Sequence, residues 1–200
     1  MHTVFRWIGY ALTTGISFAG TTEASVRVAM NRNPRPMPHQ FAGLLDSGLR
    51  LSYRNPGETL GLYGFEAGMS VLDAGCGTGL FTTEMARMVG PEGTVHAVDL
   101  QQPVLVRAAQ RVQEAGLADR VRFHHSGLHL LPLPDASVDL AVLIATLGEI
   151  PNPLAALAEV HRVTKVGGRV AGIVFLLELA GLHGREKLAG YKVTSIIPYD

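Results

Sequence analysis

The stretch VLDAGCGTGL, residues 71–80, decides the fold. Val71 and Leu72 are apolar and suit a strand. Glycines follow at alternate positions, Gly75, Gly77 and Gly79, and residues 81–89 read as a helix. Strand, glycine turn and helix in that order bring bare backbone N–H groups up to a nucleotide-like ligand, because glycine supplies angles and closeness that a Cβ forbids. A tight turn that holds no ligand needs fewer glycines than this.

The spacing narrows the ligand. The dinucleotide fingerprint is G-x-G-x-x-G. Gly75-Cys76-Gly77 opens correctly, but Leu80 stands at the place of the third glycine and Gly79 comes one residue early. A phosphate-binding loop ends in Gly-Lys-Ser/Thr, whereas this chain has Gly79-Leu80-Phe81. The signature resembles motif I of the class I S-adenosylmethionine-dependent methyltransferases, of the small-domain type similar to the ubiquinone- and menaquinone-biosynthesis group. That resemblance implies that Asp73 and the glycine loop, Gly75, Cys76, Gly77, Thr78 and Gly79, hold the amino-acid end of S-adenosylmethionine. Cys76 is the single cysteine, so no intrachain disulfide can form. It reads as a small residue fitting a tight turn, with a reactive thiol as the competing reading.

Downstream, residues 94–100 (TVHAVDL) read as a second strand closed by Asp99. An acid about 20 residues past such a loop accepts hydrogen bonds from ribose hydroxyls, in a nicotinamide dinucleotide and in S-adenosylmethionine alike. Leu100, Gln101 and Gln102 follow, within reach of sugar or adenine. Residues 103–115 form a helix with Pro103 near its start and Gly116 after it. Val121–His125 reads as the third strand. His124, His125 and His129 lie close in sequence, but adjacent strand residues face opposite ways and no cysteine or carboxylate set joins them, so no metal is expected. Aligning Leu131-Pro132-Leu133-Pro134-Asp135 with the proline-rich stretch of the resembled family puts Gly127, after Ser126, where that family often has an acid meeting the adenine amino group. The departure implies that backbone groups or Ser126 hold the adenine.

Val138–Ile144 is wholly apolar apart from Asp139, as a buried parallel strand should be. Asp139 sits at its amino end, away from the carboxyl ends where ligands bind in such sheets, and reads as structural. Ala145, Thr146 and Glu149 lie at the productive end, where the resemblance implies that the methyl meets its acceptor. Tyr53, Thr146 and Glu149 are the candidates for a catalytic role, Glu149 as a group that orients or deprotonates a nucleophile. Pro153–Val163 has one apolar helix face, Leu154, Leu157, Val160 and Val163. Residues 165–169 (KVGGR) resemble the K-P-G-G turn before the family's fifth strand, here residues 170–176. The tail reads as a helix over 177–188 and a strand over 191–197. The family ends in a helix and an antiparallel strand pair, and this tail has comfortable room for one strand, which leaves a sheet edge open to a second chain.

Before the glycine loop, residues 40–53 have helical apolar spacing, Asn55-Pro56-Gly57 reads as a stop, and residues 58–63 as a second short helix. The resemblance implies that such leading helices cover the cofactor, which makes Tyr53 and Arg54 lid candidates. Residues 31–38 carry three prolines and two arginines and read as a linker. The apolar run over 7–20 is about 14 residues, too short to cross a bilayer. It reads as a core-packing helix or as sequence before a later start, with a faint likeness to a secretory signal. This divides the chain into an extension or linker over 1–36 and a methyltransferase domain over 37–200.

Two hundred residues suit one domain with a sizeable core. Formal net charge is zero, which argues against a nucleic-acid partner. The expected fold is α/β, a doubly wound and mostly parallel Rossmann-like sheet with a shortened C-terminal end. The expected function is methyl transfer from S-adenosylmethionine to a small molecule in the cytoplasm, by a chain that is a candidate homodimer and whose apolar start is its one route to a membrane. The alternatives are an NAD(P)-dependent oxidoreductase and a non-catalytic S-adenosylmethionine-binding module.

Overall fold

The computed structural model describes residues 55–144, 146–179 and 193–199. The helix expected over residues 40–53 lies outside the described residues, and the short helix expected over residues 58–63 begins two residues earlier, within Asn55-Pro56-Gly57. Helix α1 spans Pro56–Gly61, and the Asn55 side chain accepts from the N–H groups of Gly57 and Glu58. Proline costs nothing in a first helical turn, where its missing N–H has no partner to lose, and asparagine is a strong N-cap.

The remaining elements alternate: β1 (Ser70–Ala74), α2 (Leu80–Met88), β2 (Thr94–Asp99), α3 (Gln102–Glu114), β3 (Val121–His125), β4 (Val138–Ile144), α4 (Pro153–Val163), β5 (Thr164–Leu179) and β6 (Val193–Tyr199). The sheet order is β3-β2-β1-β4-β5-β6, and every neighbouring pair is parallel. The chain winds outward from β1 to β3, then returns to the other side of β1 with β4. The carboxyl ends of β1 and β4 therefore diverge at a switch point, where ligands bind in such sheets.

Two apolar layers sandwich the sheet. Val71, Val95, Ala97, Leu140 and Val142 face α2 and α3, packing with Met85, Ala86, Leu105 and Val112. Leu72, Ala74, Val98, Ala141 and Leu143 face the other way, against Ala156, Leu157, Val160 and Val163 of α4. Both faces of β1 and β4 are buried, which is why these strands read as continuous apolar runs.

The connection from β3 to β4 carries no helix among the described residues. It is tied down from α4 instead. The Arg162 guanidinium donates to the Leu131 and Leu133 carbonyls, to Asp135 and to Glu159, and Glu159 accepts the Leu131 N–H at 2.9 Å. At the opposite end of the sheet Asp139 accepts from the Ser70 N–H and from Lys165, the structural role its position implied.

Three expectations for the tail are revised. The KVGGR segment lies within β5 as a bulge: Val138 pairs with Thr164, but Leu140 pairs with Arg169, and Gly167 takes φ +83° in between. Leu177 to Leu179, read as the start of a helix, continue β5, and residues 180–192 lie outside the described residues. The last strand runs two residues later than expected and pairs parallel with β5.

Candidate functional site

The loop between β1 and α2 crosses the carboxyl end of the sheet. All three of its glycines have positive φ: +83° at Gly75, +55° at Gly77 and +79° at Gly79. Gly79 caps α2 in the left-handed conformation, and a Cβ there would stand 2.9 Å from both Cα and Cβ of Ala108 in α3. Above Gly77, by contrast, nothing lies within 4 Å of the place a Cβ would take.

The loop's N–H groups are not bare, contrary to the expectation from its glycines. Gly75 and Cys76 both donate to the Val98 carbonyl, at 2.8 and 3.0 Å, and Gly79 donates to Cys76. Gly77 donates to Asp99 Oδ2 at 3.0 Å. The parallel neighbour β2 thus consumes the donors of Gly75, Cys76 and Gly77. What the loop can offer a ligand is its open surface, its carbonyls and the start of α2, where no side chain caps the helix. A helix N-terminus favours a carboxylate and strand-end carbonyls favour an ammonium, so an amino-acid zwitterion suits this spot.

Asp99 closes β2 and braces the cradle. Its Oδ2 takes the Gly77 N–H and its Oδ1 takes the Gln101 N–H at 2.9 Å. A carboxylate offers about four lone-pair sites, so room remains on it for a hydroxyl donor. Burial pushes the Asp99 pKa up, while the N–H groups of Gln101, Gly77 and Leu100 pull against it. Leu100 beside it is exposed, an apolar face at the rim.

Asp73 lies deeper. It is buried, and Thr82 Oγ1 of α2 donates to its Oδ2 at 2.6 Å. Burial lifts its pKa to about 7 against the pull of Thr82, with the Asp99 charge adding to the rise. Asp73 therefore ties β1 to α2 beneath the loop. Sequence reasoning missed Thr82, although a hydroxyl in the first turn of the helix, nine positions after the strand-end acid, was its signal. Cys76 is also buried, and burial together with the charges of Asp73 and Asp99 pushes its thiol pKa well up, which favours the small-residue reading over a reactive thiol.

Ser126 and Gly127 follow β3 beside this region. The Ser126 N–H donates to the Asp99 carbonyl at 3.1 Å, and its hydroxyl donates to the Leu130 carbonyl at 2.6 Å. His124 and His125 do face opposite ways: His124 Nε2 lies 3.1 Å from His96 Nδ1, and His125 Nε2 lies 2.9 Å from the Leu100 carbonyl. Thr146, after β4, donates weakly to the Gly75 carbonyl at 3.3 Å, and its side chain fills the space a Cβ of Gly75 would need. Glu149, half-buried, ends the short turn Leu147–Glu149. The fold thus gathers the glycine loop, Asp99, Leu100, Gln101, Ser126, Gly127 and Thr146 at one end of the sheet. Tyr53, Arg54 and Ala145 lie outside the described residues.

The residues present fit S-adenosylmethionine: an open cradle over Gly77, a zwitterion-compatible loop and an acid placed for a sugar. Comparison with known proteins agrees. The methyltransferase domain family matches residues 71–168. A demethylmenaquinone methyltransferase of Geobacillus stearothermophilus is 38% identical over 103 residues, covering 52% of this chain and 44% of that protein. The biotin biosynthesis bifunctional protein BioHC of Teredinibacter turnerae is 34% identical over 109 residues, 19% of its length. The chain thus spans less than half the length of these two curated relatives. The crystal structure of a SAM-dependent methyltransferase from Aquifex aeolicus superposes with a TM-score of 0.61 at 34% identity, covering 65% of this chain and 69% of that one. With its switch-point cradle, the acid that braces it and these likenesses together, the chain belongs to the S-adenosylmethionine-dependent methyltransferases.

Proposed function

We propose that this protein transfers the methyl group of S-adenosylmethionine to a small molecule bound beyond the carboxyl end of β4. The observation that carries the reading is the open space over Gly77, braced by the Asp99 carboxylate. The cofactor, when bound, supplies a methyl on a sulfonium whose leaving group is neutral. The protein's own part is alignment and exclusion of water rather than a strong acid–base pair.

In this reading the Gly75 to Gly79 loop receives the cofactor's amino-acid end through its carbonyls and the start of α2, with Asp73 and Thr82 holding the loop from below. Asp99 accepts the ribose hydroxyls. Leu100, Gln101, Ser126 and Gly127 border the adenine, and Ala145 is assigned to the same cofactor set. Thr146 and Glu149, with Tyr53 from the preceding segment, face the acceptor, and Glu149 holds a proton released by an acidic nucleophile. The substrate in the name of the Geobacillus relative, demethylmenaquinone, supports a lipophilic ring acceptor. The neutral charge balance supports a small-molecule rather than a nucleic-acid partner, and the family reading implies a cytoplasmic setting. Among the described residues no helix is long and apolar enough to cross a membrane. Pairing with a second copy at β6, the outermost strand of the sheet among the described residues, is the homodimer that light scattering would read. We assign residues 37–200 to the catalytic unit and 1–36 to an extension.

Isothermal titration with S-adenosylmethionine and with NAD, followed by an assay for S-adenosylhomocysteine over a panel of quinols, phenols, amines and carboxylic acids, tests the reading. Binding of S-adenosylmethionine and turnover with one acceptor class is expected. Binding of NAD alone, or cofactor binding without turnover on any acceptor, overturns it.

A further inference from the structure

His96 and His124 form a pair that the methyl-transfer reading leaves unused. In the sheet His96 stands beside Arg122 and Val98 beside His124, so the two histidines sit diagonally on adjacent strands and on one face. Their rings meet there. His96 Nδ1 lies 3.1 Å from His124 Nε2, with ring centroids 5.3 Å apart and planes tilted by 33°. Both residues are only half-buried, and the connection from β3 to β4 lays no helix over this corner of the sheet. Chain spacing set His124 with His125 and His129 and pointed to no metal. The fold exchanges those neighbours for His96 across the strands.

Two ring nitrogens this close suit one ion. A tetrahedral metal with bonds of about 2.05 Å holds two imidazole nitrogens about 3.3 Å apart and their ring centres about 5.2 Å apart. The observed pair lies close to both separations. Burial holds both rings below the ordinary histidine range, so both are uncharged at neutral pH. Each neutral ring carries one N–H, and in the pair one ring donates to the other. On metal binding that proton moves to the far nitrogen of the same ring, so both facing nitrogens present lone pairs and no net proton is lost. Arg122 is the opposing charge nearby, and its guanidinium is held by the carbonyls of Asp119 and Val121. Among the described residues no cluster of three histidine, cysteine or carboxylate ligands forms, so water fills the ion's remaining positions. Nitrogen donors favour late transition ions over magnesium and calcium. We infer that His96 and His124 form a two-histidine site for a divalent late transition-metal ion, which clips β3, the outermost strand on that side among the described residues, to β2.

The inference is independent of the methyl-transfer reading, and so is its test. The full chain, stripped of metal with a chelator, is titrated at neutral pH with zinc chloride by calorimetry, alongside His124→Gln and His96→Gln. Each variant should bind zinc more weakly by about tenfold or more, because losing even an outer partner of a metal ligand costs about 10–100-fold. Zinc should raise the Tm of the wild type and leave that of each variant unmoved, since an ion bound only by the folded state stabilises it. Copper(II) loaded in place of zinc should show coupling to two ring nitrogens by paramagnetic resonance in the wild type and to one in each variant, and magnesium should give no binding heat. A wild type that takes up no zinc, or whose copper spectrum lacks two-nitrogen coupling, overturns the inference whether or not the variants fold. Wild-type zinc affinity in either variant overturns it as well.

Discussion

Burial lifts the Asp73 carboxyl from 3.8 to about 7, so between those values the folded protein keeps a proton that the unfolded chain releases. The stability this contributes is fully present below pH 3.8 and lost as pH rises through 7, on the order of 4 kcal/mol at full extent. His96 acts in the opposite sense. Burial, with His124 and Arg122 nearby, lowers it from 6.5 to about 4, so its contribution is present above 6.5 and lost as pH falls through 4. Asp73→Asn removes the first effect and leaves the second. Urea titrations across pH 4 to 7 should show stability rising more steeply with pH in the variant than in the wild type, and parallel profiles would contradict a buried, proton-retaining Asp73. At the ribose, Asp99→Ala should weaken S-adenosylhomocysteine binding by about 1.5–3 kcal/mol, the range for a charge-assisted hydrogen bond. Asp99→Asn, which keeps an acceptor beside Gly77, should lose less; unchanged titrations in both would mean the sugar lies elsewhere. Gly77→Val combines a strained φ of +55° with a side chain in the open cradle, so binding should vanish while the far-ultraviolet spectrum stays native. That the glycine loop and Asp99 come together at one end of the sheet was legible from residue type and spacing. The loss of the loop's free N–H groups was not, because it depends on which carbonyl of a neighbouring strand, Val98, comes to rest beneath them.

Elements with strong periodicity coincide with their expected bounds: β3, β4 and α4 match residue for residue, since an apolar run or a helical stripe is a local signal. The ends of the described chain were harder to read. Asn-Pro-Gly suits both a turn and a capped first turn of helix, and the choice falls to the helix because Asn55 finds the N–H groups of Gly57 and Glu58. KVGGR was read as a turn before a strand, but β4 offers partners on both sides of it, so the extra residues bulge out of one continuous strand. The β3–β4 connection depends on Arg162 rather than on helix packing. Arg162→Met should lower Tm and speed hydrogen exchange at the Leu131 amide, whose acceptor Glu159 loses the guanidinium that holds it. Exchange there that matches the wild type would show that the connection is held by its apolar residues alone.

Over the whole molecule, the two apolar layers meet through the central strands, so damage to one face should be felt by both. Leu72 is fully buried beneath α4 while its neighbour Val71 is fully buried beneath α2 and α3. Leu72→Ala should cost about 2–5 kcal/mol. Its denaturation should remain a single transition when followed by far-ultraviolet signal and by core amide exchange, and separate transitions for the two layers would refute that coupling. The close approach of Gly79 to Ala108 carries this interdependence into the site. The start of α2 rests on the back of a helix that belongs to the next strand–helix unit, so the two units are locked as wheel and pawl. A lineage drifting at position 108 toward bulkier residues would push the glycine loop out of place from behind without altering any residue of the loop itself.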